Sequence, residues 1–236
     1  MAKFWHAPVN VFATYSPWYD DELFTRLYDQ AHPCTLVDHM RAYELWQLVE
    51  QAARLPGDIL EVGVWRGGTG CIMAKRLQIV GSEAKVFMCD TFCGVVKAGE
   101  ADTRYVGGEH ADTSEEYVRN LAASFDVDNI EILTGIFPDD TAHQIEDRQF
   151  ALCHIDVDVY ESALHIFDWV WPRMPVGGIV VFDDYGFPAC SGITQLVNEK
   201  RGMSGAVVMH NLNGHAVIVK TELPPQKTAF QRIFGR

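Results

Sequence analysis

Residues 58–70 read DILEVGVWRGGTG, and no other stretch restricts the fold of this chain as much. An apolar run meets an acid, then glycines, then an amphipathic run. That order describes a buried strand, a tight turn and the first turn of a helix. Glycine lets backbone come close to a ligand, and the helix N-terminus behind it offers unpaired N–H groups.

The same order of strand and helix repeats downstream. Strands are expected at 59–64, 85–91, 130–134, 150–157 and 178–183, and helices at 67–78, 114–125, 161–173 and 191–199. Thr113 is placed to cap the second of these helices, with Glu116 completing a capping box. A short helix should follow Pro138, and a long polar loop fills 94–112. Two closing strands, 206–211 and 216–220, flank a turn containing Asn213-Gly214, a hairpin signal. Ahead of the repeat lie an irregular aromatic stretch, 1–18, and two helices, 19–30 and 37–54. The second carries Met40, Leu45, Leu48, Val49 and Ala52 as an approximate stripe. The expected fold is therefore α/β: a doubly wound, mostly parallel seven-stranded sheet with N-terminal helices and an antiparallel C-terminal strand. Residues 1–55 would form a helical lid or oligomerisation segment, 56–223 the main domain and 224–236 a polar, basic tail.

The 236 residues suffice for one large domain. A net charge of -13 repels nucleic acid and anionic membrane. Six scattered cysteines without a CxxC pair read as reduced thiols in a cytoplasmic protein, not as a zinc site. The start, MAKFWHAPVN, lacks the apolar core of a secretory signal, and no run is long enough to span a membrane.

Ligands of such sheets bind beyond the carboxyl ends of the strands. There this chain sets Glu61 and Gly63, Asp90, Gly135, Asp156 and Asp158, and Asp183 and Asp184. Core packing does not ask for a glycine or carboxylate at each end. Glu61 to Gly68 is ExGxxxGG, not the dinucleotide GxGxxG. Asp90 stands where a ribose would present its hydroxyls, so the pair favours an adenosine-type ligand. Against this, Asp90 can be a helix cap and Glu61 an exposed strand-end charge. A pyrophosphate wants a helix N-terminus free of carboxylates, whereas a sulfonium and an amino group tolerate acids. Glu61 therefore tilts the reading to S-adenosylmethionine.

At the other end of the rim, Asp156 and Asp158 share a face if the strand continues through them. With Asp183 and Asp184 they make four converging carboxylates, which repel at low dielectric. A hard divalent cation such as magnesium would relieve them and could lower the pKa of a substrate hydroxyl, leaving one carboxylate to take its proton. The plain alternative has each aspartate capping the next helix, which suits one or two but not four. Among the histidines, His154 reads as a core or supporting residue; His110, His210 and His215 are weaker candidates to reach substrate.

The segments 56–70, 90–94 (DTFCG), 155–162 (IDVDVYES) and 180–186 (VVFDDYG) resemble the macrocin O-methyltransferase (TylF/MycF-type) family, class I enzymes that use S-adenosylmethionine and magnesium. The resemblance covers about residues 34–201, including 35–45, where the family lays a helix over the cofactor. It implies methyl transfer to a hydroxyl of a sugar-containing small molecule. Glu61, Gly63 and Gly67 would surround the methionine part, Asp90 the ribose, and Gly135, Ile136 and Phe137 the adenine. Thr35, Met40, Trp65, Thr69, Thr91, Phe92 and Asp156 would complete the cofactor wall. The resemblance also divides the aspartates: Asp156, Asp183 and Asp184 as magnesium ligands, Asp158 as general base. Homo-oligomers are common in the family. Departures are His154, where the family commonly has Arg, and the segments 94–112 and 206–221, which tend to shape the acceptor pocket. Two other functions are weighed: a catechol-type O-methyltransferase, which usually carries Asp-Asn at 183–184 and a Lys base, and a non-catalytic binding protein.

Overall fold

The computed structural model describes residues 4–10 and 12–222. The expected tail, 224–236, lies outside the described residues. Two helices, α1 (Glu22–Ala31) and α2 (His39–Ala52), precede the sheet. Then come β1 (Asp58–Val62), α3 (Gly68–Ile79), β2 (Val86–Asp90), α4 (Glu115–Ser124) and β3 (Ile130–Thr134). The chain continues through β4 (Phe150–Ile155), α5 (Tyr160–Val170), β5 (Ile179–Phe182) and α6 (Ser191–Lys200), and closes with β6 (Ala206–His210) and β7 (Ala216–Lys220).

All seven strands join one sheet in the order β3-β2-β1-β4-β5-β7-β6. β1 to β5 run parallel, and β7 is antiparallel to both neighbours. The order reverses between β1 and β4, so a crevice opens beyond their carboxyl ends. β4 and β5 are buried along their whole length, as strands covered on both faces must be. Alternate side chains divide between two cores. Ile59 and Val181 join Phe24, Trp46 and Ile72 beneath α1 to α4; Leu60 and Val180 join Phe150, Phe167 and Phe182 beneath α5 and α6.

The caps explain several boundaries. Asp38 starts α2 by accepting from the Met40 and Arg41 N–H groups. Ser114, not Thr113, caps α4, accepting from Tyr117 N. Thr113 instead donates its hydroxyl to Trp65 O. The buried stripe of α2 is Arg41, Ala42, Leu45, Trp46, Val49 and Ala52, which turns Met40 outward. A five-residue connection, closed by Asn211 N donating to His215 O at 3.0 Å, joins β6 to β7. No helix among the described residues is long and apolar enough to cross a membrane.

Candidate active site

β1 ends one residue before Gly63, whose φ is +92°. A Cβ there would lie 1.7 Å from the Asp156 carbonyl oxygen, so only glycine lets the ends of β1 and β4 touch. Beyond this contact lies a cavity of about 260 Å3. Gly63, Trp65, Thr69 and Thr35 form one wall, and Asp90 and Thr91 another. Gly135, Ile136 and Phe137 close one end, and Asp156, Asp158, Asp183 and Asp184 the other.

The Asp90 carboxylate is pinned by backbone. Oδ2 accepts from Trp65 N at 2.8 Å and Oδ1 from Phe92 N at 2.7 Å. Each oxygen keeps a lone pair for a hydroxyl. Burial raises the pKa of this carboxyl. Four residues expected at the cofactor do not line the cavity: Met40, Glu61, Gly67 and Phe92. Met40 faces outward. Gly67 caps α3 with a φ of +88°. Phe92 packs on the core under α1 to α4. Glu61 has no exposed surface, because strand alternation turns it beneath the floor, where Oε1 lies 3.0 Å from His154 Nδ1. His154 is correspondingly a core residue.

One oxygen from each of Asp156, Asp183 and Asp184 lies within 4.8 Å of the other two. The alternation expected for Asp156 and Asp158 has no strand to act in, since β4 stops at Ile155. A turn with φ +65° at Asp158 brings that residue to the cavity instead. None of the four aspartates caps a helix. Tyr160 N, at the start of α5, is met by Asp102 Oδ1 at 3.0 Å, and α6 has no side-chain cap. Burial, and then the charges of their neighbours, push Asp156 and Asp184 well above the usual carboxylate range. Hard oxygen donors crowded in this way fit a magnesium-like ion.

Asp183 behaves differently. Burial would raise its pKa, but His215 and Arg41 outweigh burial and hold it well below the ordinary value. Arg41 Nη1 donates to both of its oxygens, at 2.7 and 2.6 Å, and His215 Nε2 lies 2.9 Å away. Asp158 has different company: Cys190 Sγ points to Oδ1 at 3.6 Å, the Tyr105 hydroxyl faces it, and the Asp184 carboxylate is adjacent. Burial and the adjacent Asp158 charge raise the Tyr105 pKa. The 94–112 loop thus delivers Tyr105 and His110 to the cavity, their Oη and Nε2 3.4 Å apart. It is anchored by Ser162 Oγ donating to Val96 O and by a Lys97–Asp139 ion pair.

Arg41, Tyr105 and Asp102 are absent from the expected site. An arginine four residues before Leu45, on a stripe that is otherwise buried, is the signal for the first. Nothing local marks the other two.

With this geometry in place, comparison with known proteins is specific. The family model described as macrocin-O-methyltransferase (TylF) matches residues 27–219. The chain is 32% identical over 184 residues to the 8-demethyl-8-(2,3-dimethoxy-alpha-L-rhamnosyl)-tetracenomycin-C 4'-O-methyltransferase of Streptomyces olivaceus, covering 72% of this chain and 69% of that protein. It is 29% identical over 189 residues to the mycinamicin III 3''-O-methyltransferase of Micromonospora griseorubida, covering 74% of each. Among solved structures, the O-methyltransferase NovP superposes with a TM-score of 0.68 at 26% identity, over 80% of this chain and 83% of that one. The family match spans both the glycine turn and the acidic rim, so the chain belongs to the macrocin O-methyltransferase (TylF) family and is an S-adenosylmethionine-dependent O-methyltransferase.

Proposed function

We propose that this enzyme methylates a hydroxyl of a sugar-containing small molecule with the help of magnesium. The observation that carries the reading is the convergence of Asp156, Asp183 and Asp184 on one point of the cavity rim, with Asp158 beside them and no helix cap among the four. The named relatives act on glycosylated natural products, which supports a sugar hydroxyl over an aromatic diol.

S-Adenosylmethionine supplies a methyl group already activated on a sulfonium, and magnesium supplies a Lewis acid that makes a hydroxyl more acidic. Asp156, Asp183 and Asp184 would hold the cation. Asp90 would take the ribose hydroxyls on its free lone pairs, while Gly135, Ile136 and Phe137 border the adenine. Asp158 is the general base: it faces the cavity, and it keeps acceptor capacity beyond its Cys190 contact. Tyr105 and Cys190 orient its carboxylate. The segment 1–55 acts as a lid, since Thr35, Leu36 and Arg41 lie over the cavity. Copies of the chain are proposed to associate, Phe12 and Tyr15 offering exposed aromatic surface.

The test is an acceptor screen with purified enzyme, glycosides against catechols, in magnesium and then in excess EDTA. Turnover of a glycoside that EDTA abolishes and magnesium restores is the expected result. Undiminished activity in EDTA would remove the metal from the reading, and catechol turnover alone would replace the sugar with an aromatic diol.

A further inference from the structure

The sheet face under α2 holds more buried charge than the rim chemistry uses. Glu61 on β1, His154 on β4, Asp183 after β5 and His215 before β7 all turn to this face and are buried. Each histidine spends Nδ1 on a carboxylate: His154 on Glu61 Oε1 at 3.0 Å, His215 on Glu44 Oε2 at 2.8 Å. That contact favours a proton on Nδ1, so the neutral ring would present Nε2 as a lone pair. His154 Nε2 has no hydrogen-bond partner, and His215 Nε2 lies 2.9 Å from Asp183 Oδ1 but off the hydrogen-bonding direction. The two rings are 5.9 Å apart between centroids. One donor atom from each of His154, Asp183 and His215 lies within 4.8 Å of the other two.

Two further observations concern the same spot. Of seven buried side-chain polar atoms without a hydrogen-bond partner among the described residues, three are here: Glu61 Oε2, His154 Nε2 and His215 Nε2. Native proteins keep few such atoms, so a cluster of them calls for an occupant. Glu61, Glu44 and Asp183 also bring three carboxylates to this face, and of these only Asp183 is bonded to the guanidinium of Arg41.

We infer that His154, His215 and Asp183 form a second metal site, behind the acidic rim, for a first-row transition ion of the zinc type. Two imidazole nitrogens and one carboxylate select such an ion over magnesium, which prefers oxygen. Glu61 and Glu44 are the outer carboxylates that metal-binding histidines generally require to fix their orientation. Arg41 uses one lone pair on each Asp183 oxygen and leaves the other free. None of the six cysteines belongs to this trio. The ion would tie β4, β5 and β7 together and, through Glu44, fasten α2 to the sheet. This inference does not depend on magnesium at the rim.

The test uses the full chain, stripped with chelator and then given Co2+ as a visible probe in excess Mg2+. We expect one Co2+ per chain that Mg2+ does not displace. X-ray absorption of the zinc-loaded protein should show two imidazole nitrogens and one carboxylate oxygen at about 2.0–2.2 Å. His154→Gln and His215→Asn should each weaken Co2+ binding by about tenfold or more, and Asp184→Asn, at the rim, should retain it. Failure to hold Co2+ against Mg2+ would overturn the inference, with the histidines then carrying protons. So would an all-oxygen shell, which decides the matter even if the variants do not fold. Co2+ binding lost in Asp184→Asn but kept in His154→Gln would return the ion to the rim, against this inference and in favour of the proposed function.

Discussion

Asp158 and Asp183 stand on one acidic rim in opposite electrostatic company. Asp183 is held by a cation and a histidine, whereas Asp158 faces a thiol and a phenol. The proposed role of base therefore falls to the second. Asp158→Asn should therefore lower kcat by about 10²–10⁴-fold while leaving cofactor affinity unchanged by calorimetry; full turnover would remove it as base. Arg41 answers a different question. Its pair with Asp183 is buried on both sides, so Arg41→Ala strands a charge and should cost about 3–5 kcal/mol in urea unfolding. A loss under 1 kcal/mol (roughly the worth of an exposed pair) would show that water reaches Asp183. The four aspartates were legible because a carboxylate at a strand end has no reason to be there in core packing. Arg41 was not, because its partner is 142 residues away and nothing near it in sequence announces the pairing.

Among elements, the strands were the most readable. Runs such as IVVF of β5 are apolar at every position, and only a strand buried on both faces wants that. Their ends were less so: β4 stops two residues short of the expected 157, because the chain enters a turn with positive φ at Asp158. The 94–112 loop was unreadable, since its order comes from distant helices. Asp102 reaches across to cap α5, and Ser191 at the start of α6 donates to Ala101 O at 2.9 Å. Asp102→Ala should thus remove a cap worth about 1 kcal/mol, a fall of about 2–4 °C in Tm for a chain of this size. Because the loop also carries Tyr105 and His110, KM for the acceptor should rise more than KM for the methyl donor. Equal changes in both would detach the loop from acceptor binding.

Across the whole molecule, His215 joins the closing strands, the sheet and α2 in one contact set, with Asp183 on one nitrogen and Glu44 on the other. Burial would lower its pKa, but the neighbouring carboxylates of Asp183 and Glu44 outweigh this and raise it above the ordinary 6.5. In metal-free protein its contribution to stability is full below pH 6.5 and fades as pH rises through the raised value. The Asp183 contribution has the opposite sign: full above 3.8 and lost as pH falls toward its depressed pKa. Chelated enzyme should accordingly lose stability as pH rises above 6.5, measured by urea midpoints, and His215→Asn should flatten that slope. An unchanged slope in the variant would place the titration elsewhere. One contact sets a limit on how this enzyme can diverge. Gly63 presses so closely on the Asp156 carbonyl that no side chain fits between them. The glycine turn and the acidic rim are in effect one casting, and neither can be re-aimed without the other. New acceptors would then be accommodated through the 94–112 loop and the proposed lid. A lineage of such enzymes would change what it methylates while the line of methyl transfer stayed fixed.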